Sequence, residues 1–232
     1  MISFDRFEVV SFDCYGTLVD WESGILDAVR PILASHDLFP SDERLLEYYA
    51  EAESEAEKGP YAPYKDVLRR AFGGLLSRLG VAASSGEVDL LARSLGEWPP
   101  FPDTAAALRA LKSRYRIAVI SNTDDDLFAL TAQSLGVAFD GVVTAEQARS
   151  YKPDPAVFRR ALAAFGVPKE RLLHAAQSLF HDVAPAQGLG IATAWVNRRA
   201  GRPGPGATPP AQAAPDLAVP DLATLASLAL GG

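Results

Sequence analysis

The chain carries a single cysteine, Cys14, among its 232 residues. One thiol excludes an internal disulfide and any metal cluster built from cysteines. Cys14 follows Asp13 at the end of an apolar run and has no cationic neighbour in sequence, so it reads as a small buried spacer and not as a reactive thiol. Long apolar runs are missing too: none approaches the roughly 20 residues that span a bilayer. The opening Met-Ile-Ser-Phe-Asp-Arg lacks the charged-then-apolar layout of a secretory signal, and a cytoplasmic location is the expectation. Basic charge is also scarce, with 22 Lys and Arg against 29 Asp and Glu, a formal charge of -7 and no basic block. That balance argues against a nucleic-acid or membrane surface and for a small-molecule partner.

What is present is apolar: 48% of the residues are hydrophobic, enough for one large domain or for a core carrying an insertion. Five short β-type runs, at 7–12, 117–121, 141–144, 172–176 and 191–196, each lead through turn residues into a helical pattern. Continuous apolar runs of this length suit strands covered on both faces. Asp103 is placed to cap a helix over 104–113; Asp154 and Pro155 open another that Gly166 closes. This alternation predicts an α/β fold, a doubly wound, Rossmann-like parallel sheet with its ligand site at the carboxyl ends of the strands.

Residues 19–98 break the alternation. They read as helices alone, near 22–36, 42–58, 64–79 and 86–96, divided at Pro40, Gly59-Pro60 and Gly80. One crossover helix needs only a dozen or so residues, so the stretch is expected to form an all-helical cap domain inserted into a core made of 1–18 and 99–232. Arg198 to Pro210 is Gly/Pro-rich and is expected to be an irregular, mobile loop. Beyond it an edge strand at 216–219 and a last helix at 221–230 are expected.

The chemistry collects where strands stop: Asp13 after the first, Ser121-Asn122 after the second, Lys152-Pro153 after the third, and Gln177 to Asp182 after the fourth. A parallel sheet brings these points to one crevice. In that order, Asp13-x-Tyr15-Gly16-Thr17, Ser121-Asn122, Lys152-Pro153 and Gln177-x4-Asp182, the chain resembles the haloacid dehalogenase superfamily over nearly its whole length. It is most similar to the L-2-haloacid dehalogenase-like (type II) branch. The resemblance implies a hydrolase in which Asp13 is a nucleophile that forms an aspartyl ester. It further implies that Thr17 and Ser121-Asn122 position the substrate and its carboxylate, and that Lys152 neutralises developing charge. The residues suit those roles: an ammonium holds a carboxylate ionised, Gly16 permits a sharp turn, and short hydroxyls and an amide supply hydrogen bonds.

Superfamily phosphatases carry an aspartate two residues after the nucleophile and another at the start of the fourth motif. Here those positions hold Tyr15 and Gln177. A hard dication wants several anionic oxygens, so no metal or other cofactor is expected. A departing halide also needs no proton from the lost acid. The dehalogenases place an arginine early in the second cap helix; gapless matching puts Leu45 there, with Arg44 about 100° away around the helix. Arg44, Trp21, Phe180 and His181 join Tyr15 and Gln177 as candidate substrate-facing residues, and Asp182 as a partner of Lys152 or of the hydrolytic water. The expected substrate is a small 2-substituted carboxylate, metal-independently hydrolysed, in a monomer or homodimer. Three alternatives stand beside it: cleavage of another activated bond such as C–N of L-azetidine-2-carboxylate, with Tyr15 or His181 as acid; a magnesium-dependent phosphatase; or a catalytically silent binding protein.

Other features have blander readings. His36 and His174 are expected to be structural, and His181 either catalytic or a loop residue beside a helix. Tyr61, Tyr64 and Trp98 read as packing residues near the cap hinges. The acidic run from Glu51 to Gly59 spreads around a helix and reads as a solvated surface, and Asp124-Asp125-Asp126 as the negative first turn of a helix.

Overall fold

Val9, Val10, Ser11 and Phe12 have no exposed surface, which is what a strand in the middle of a sheet requires. In the computed structural model, which describes residues 2–202, 204 and 206–231, they form β1 (Val9–Phe12). Five more strands follow: β2 (Arg116–Ser121), β3 (Gly141–Thr144), β4 (Leu172–Ala176), β5 (Ala192–Val196) and β6 (Leu217–Val219). All pair in parallel, in the order β3-β2-β1-β4-β5-β6. The chain runs outward to either side of β1, so the crevice that this topology opens lies past Phe12, where Asp13 stands. Successive residues face opposite layers. Val10, Phe12, Ile117 and Val119 join one apolar layer, while Val9, Ala118 and Ile120 pack with Val157, Phe158 and Ala161 in the other.

Between β1 and β2 lie six helices: α1 (Trp21–Ser35), α2 (Asp42–Ala56), α3 (Tyr64–Arg78), α4 (Ser85–Val88), α5 (Leu90–Ser94) and α6 (Thr104–Lys112). The first five form a helical insert. The single helix expected at 86–96 is instead broken into α4, α5 and a 3-10 turn at Leu95–Glu97. Ser84 and Glu87 close a reciprocal capping box at the start of α4, and the helix ends at Asp89. After β2 come α7 (Asp125–Leu135), α8 (Ala145–Ala148), α9 (Pro155–Phe165), α10 (Ala184–Gly188) and α11 (Leu222–Leu230). Asp154 caps α9 through Ala156 N, and Gly166 ends it in the left-handed region, as their residue types require. The segment after β5 is irregular among its described residues; Pro203 and Pro205 lie outside them. No helix among the described residues is long and apolar enough to cross a membrane.

Two aspartates cap helices other than their own. Asp103 has helical φ and ψ, unlike the extended backbone of a capping residue, and makes no side-chain bond to α6. Its Oδ2 instead accepts from Leu222 N (2.8 Å) and Ala223 N (3.2 Å) at the start of α11. Asp124 precedes α7, yet its carboxylate accepts from Tyr64 N (2.7 Å) and Lys65 N (3.0 Å), the first amides of α3. The insert is thereby fastened to the loop that follows β2.

Gly24 marks a second close approach. A Cβ there would lie 2.3 to 2.7 Å from the Trp98 indole, which is itself only 3% exposed. Gly24→Ala should therefore overpack this junction and lower stability by about 1–3 kcal/mol, read as a lower urea midpoint with an unchanged slope.

Candidate active site

Beyond Phe12 the chain turns at Gly16, whose φ of +92° an L side chain rarely adopts. Gly16 N donates to Val19 O (2.8 Å), and Leu18 N to Cys14 O (2.8 Å). This tight loop brings Thr17 onto one oxygen of the Asp13 carboxylate, and Lys152 reaches the other. Thr17 Oγ1 donates to Oδ2 (2.7 Å) and accepts from Gln177 N (2.9 Å), while Lys152 Nζ donates to Oδ1 (2.9 Å). Lys152 also donates to Asp182 Oδ1 (2.6 Å) and Ile120 O (2.9 Å), so its three protons are all engaged.

Behind this cluster stands His174, 0% exposed, with Nε2 2.9 Å from Asp182 Oδ1 and Nδ1 2.9 Å from Ser11 Oγ. Burial pushes Asp182 up, but Lys152 and His174 outweigh it and hold the carboxyl at about 2. An ionised carboxylate only accepts, so Nε2 carries a proton towards Asp182, while Nδ1 shares the second hydrogen bond with Ser11 Oγ. Burial pushes Asp13 above the ordinary aspartate value; Lys152 pulls it back in part, and Asp182 adds to the rise. Burial alone would lower Lys152, but Asp13 and Asp182 raise it. Buried Cys14 has its thiol pushed well up by desolvation and then by Asp13, which makes it inert.

Asp13, Lys152 and Asp182 open on a cavity of about 40 Å3, also walled by Tyr15, Trp21, Asn122, Gln177 and His181. At roughly 10–15 Å3 per water, it has room for a molecule of only a few heavy atoms. Thr17 and Ser121 stand behind the wall; both are fully buried, and Ser121 Oγ has no partner among the described residues. Phe180 lines an adjoining cleft of about 370 Å3, shared with Glu57, Tyr61 and Tyr151.

Several candidates are committed elsewhere. The Asn122 amide grips the main chain of Lys152, with Nδ2 to Lys152 O at 3.0 Å and Oδ1 from Lys152 N at 2.7 Å. It aims the lysine and is not an open hydrogen-bonding group for substrate. The Tyr15 hydroxyl is bonded to Thr131 Oγ1 (2.9 Å), and its ring meets Trp98 edge-on. His181 is bonded through Nδ1 to Ser178 Oγ (3.1 Å), and burial lowers it to about 4, so it is neutral at pH 7. Trp21 packs edge-on against Tyr49.

Arg44 is not part of the site. Leu45 and Leu46 are the buried residues of that turn, at 1% and 4% exposure, which leaves Arg44 in solvent with its guanidinium on the Tyr48 hydroxyl at 2.7 and 3.0 Å. Arg44→Ala should change kcat/KM by less than about twofold in a steady-state assay, as surface substitutions away from a site do.

The acidic run is not a solvated face either. Glu53 is 6% exposed, and its Oε1 accepts from both Tyr49 (2.8 Å) and Tyr64 (2.7 Å) hydroxyls. Glu53, Glu57 and Tyr64 all line the cavity, as do Ser178 and Thr208. The two acids are four residues apart and share one face of α2 and its end, while Glu51 and Glu55 remain exposed. Desolvation pushes both Glu53 and the half-buried Glu57 up; the Tyr64 and Tyr49 hydroxyls draw Glu53 back, whereas the charge of Glu53 lifts Glu57 further.

The model of the haloacid dehalogenase-like hydrolase family matches residues 7–190. Among curated proteins, the haloacetate dehalogenase H-2 of Moraxella sp. (strain B) is 28% identical over 199 residues, 83% of this chain and 87% of that protein. An (S)-2-haloacid dehalogenase of Pseudomonas putida is 29% identical over 201 residues, covering 83% and 86%. Among solved structures, the L-2-haloacid dehalogenase of Xanthobacter autotrophicus with chloropropionic acid covalently bound superposes with a TM-score of 0.81 at 25% identity, covering 97% of this chain and 99% of that one.

Proposed function

Since the chain belongs to the haloacid dehalogenase-like hydrolases, we propose that it hydrolyses a small 2-substituted carboxylic acid of the 2-haloacid type, with Asp13 as the nucleophile. The observation that carries this reading is the Asp13 carboxylate itself, held at one oxygen by Lys152 and at the other by Thr17, on the wall of a cavity sized for a few heavy atoms. We divide the chain into a core of 1–18 and 99–232 and a cap of 19–98, with the cavity between them.

In the first step an Asp13 oxygen attacks C2 and forms a C–O bond, while the leaving group departs with the electron pair of its own bond. Asp13 attacks as the carboxylate, its charge balanced by Lys152, so the step needs no base. In the second, water attacks the aspartyl carbonyl, and the hydroxy acid leaves with the oxygen that Asp13 first supplied. The amides of Gly16, Thr17 and Leu18 are bonded within the loop, so we assign the oxyanion hole to those of Cys14 and Tyr15. Asp182 Oδ2 has no donor among the described residues, and we assign it as the acceptor that orients the water.

Two alternatives lose support. Cleavage of a C–N bond with Tyr15 or His181 as acid would need a proton that neither supplies near neutral pH, one being bonded to Thr131 and the other neutral. A magnesium site does not fit the residues: Lys152 occupies the charge of Asp13 and Asp182, Tyr15 and Gln177 bring no carboxylate, and no group of three His, Cys, Asp or Glu among the described residues is placed to hold a metal ion.

The test is halide release from each enantiomer of 2-chloropropionate, followed by a single turnover in 18O-labelled water. The expected result is halide release unaffected by a chelator, with label in the Asp13 peptide. Label found only in the product would rule out the ester.

A further inference from the structure

We propose that the cavity selects a substrate bearing a protonated amine in addition to its carboxylate, with Glu53 as the specificity-determining residue that receives the ammonium. The inference deepens the function proposed above and rests on it for the reacting end of the substrate.

The cavity wall carries four carboxylates, on Asp13, Asp182, Glu53 and Glu57, and one cation, Lys152. That lysine has no proton left to offer, and no arginine lines the wall. A substrate with only negative charge would enter a space already acidic and find no free cation in it. Glu53 has the geometry of a receptor for the opposite charge. Its side chain is more than nine-tenths buried, both tyrosine hydroxyls converge on Oε1, and no donor among the described residues reaches Oε2. Two phenols thus fix the orientation of the carboxylate while leaving one acceptor oxygen uncommitted.

Burial has pushed this carboxyl up, and a cationic ligand on Oε2 would offset that burial and hold it ionised. Glu57, one helical turn further on, lines the same cavity, and among the described residues its carboxylate accepts a single, long hydrogen bond, from Asn122 Nδ2 (3.5 Å). A compact ammonium makes several short bonds to such oxygens and fits a cavity of this size. A purely structural Glu53 that ties α2 to α3 would show no preference among ligands.

The experiment compares β-alanine with propionate as ligands of the full chain by calorimetry, and 3-amino-2-chloropropionate with 2-chloropropionate as substrates. We expect the amino compound to be favoured in each pair by about tenfold or more, the scale of one charge-assisted hydrogen bond. In Glu53→Gln the preference should fall towards parity through KM and not kcat. Glu57→Gln, at a less buried position, should reduce it in smaller measure, and the wild-type ligand comparison needs no variant. Propionate binding as well as β-alanine, or no binding of either, overturns the inference. Turnover of 2-chloropropionate without an amino preference overturns it while sparing the proposed function. A β-alanine preference without any dehalogenation does the reverse.

Discussion

Asp13→Asn should abolish turnover, by on the order of 10^4- to 10^6-fold, and at the same time raise the melting temperature. The loss is of the size seen when a covalent nucleophile is removed from machinery that is otherwise intact. The gain in stability follows from linkage. Burial raises the Asp13 carboxyl above its ordinary value, and the stability that goes with a raised carboxyl is present below the unfolded pKa and lost as pH rises through the folded one. At neutral pH the ionised nucleophile therefore weighs against folding. Asparagine removes that charge, and Lys152 keeps Asp182 and Ile120 O as partners. Melts across pH should show the gain at neutrality and its disappearance in acid, where wild-type Asp13 is protonated. By the same shift, the acid limb of wild-type kcat/KM should lie above the ordinary aspartate range. Residual activity above about 1% of wild type, with deamidation excluded by mass, would remove Asp13 from the nucleophile role.

Lys152→Met has the opposite effect on stability and the same effect on activity. The substitution keeps most of the side-chain volume but leaves Asp13 and Asp182 buried without their shared cation. Breaking a buried pair in this way costs about 3–5 kcal/mol. In the wild type Asp182, held at about 2, contributes stability that is full above the unfolded aspartate value and lost as pH falls through 2. The variant forfeits that contribution, so its deficit should be largest at neutral pH and narrow as acid protonates both carboxyls. Urea unfolding at several pH values measures it; a deficit independent of pH would refute the electrostatic account. Turnover should vanish as well, since Asp13 no longer has a cation to hold it ionised.

The sheet was legible because its central strands are covered on both faces, so they read as mainly apolar runs, β1 ending at Asp13. The convergence of Asp13, Lys152 and Asp182 followed from parallel topology alone. Capping aspartates were harder, because an aspartate before a helix announces a capping carboxylate without saying which helix it will reach. Asp103 and Asp124 each serve a helix remote in sequence. Arg44 failed for a related reason: Leu45 and Leu46 compete for the buried side of α2 and win it. The signal for Glu53 was available and passed over. Leu45, Tyr49, Glu53 and Glu57 recur at every fourth position, so the apolar stripe of α2 runs on into two acids. Counted as a cluster of four, the acids surround the helix; followed along the stripe, two of them face inward.

Asp124 also joins two walls of the cavity. Its carboxylate spans the amides of Tyr64 and Lys65, and Tyr64 in turn grips Glu53. Asn122, on the same loop, holds the main chain of Lys152, so the carboxylate that fastens α3 also ties the aim of Glu53 to the loop that aims the lysine. Asp124→Ala, with no side chain in the cavity wall, should therefore disturb both walls at once.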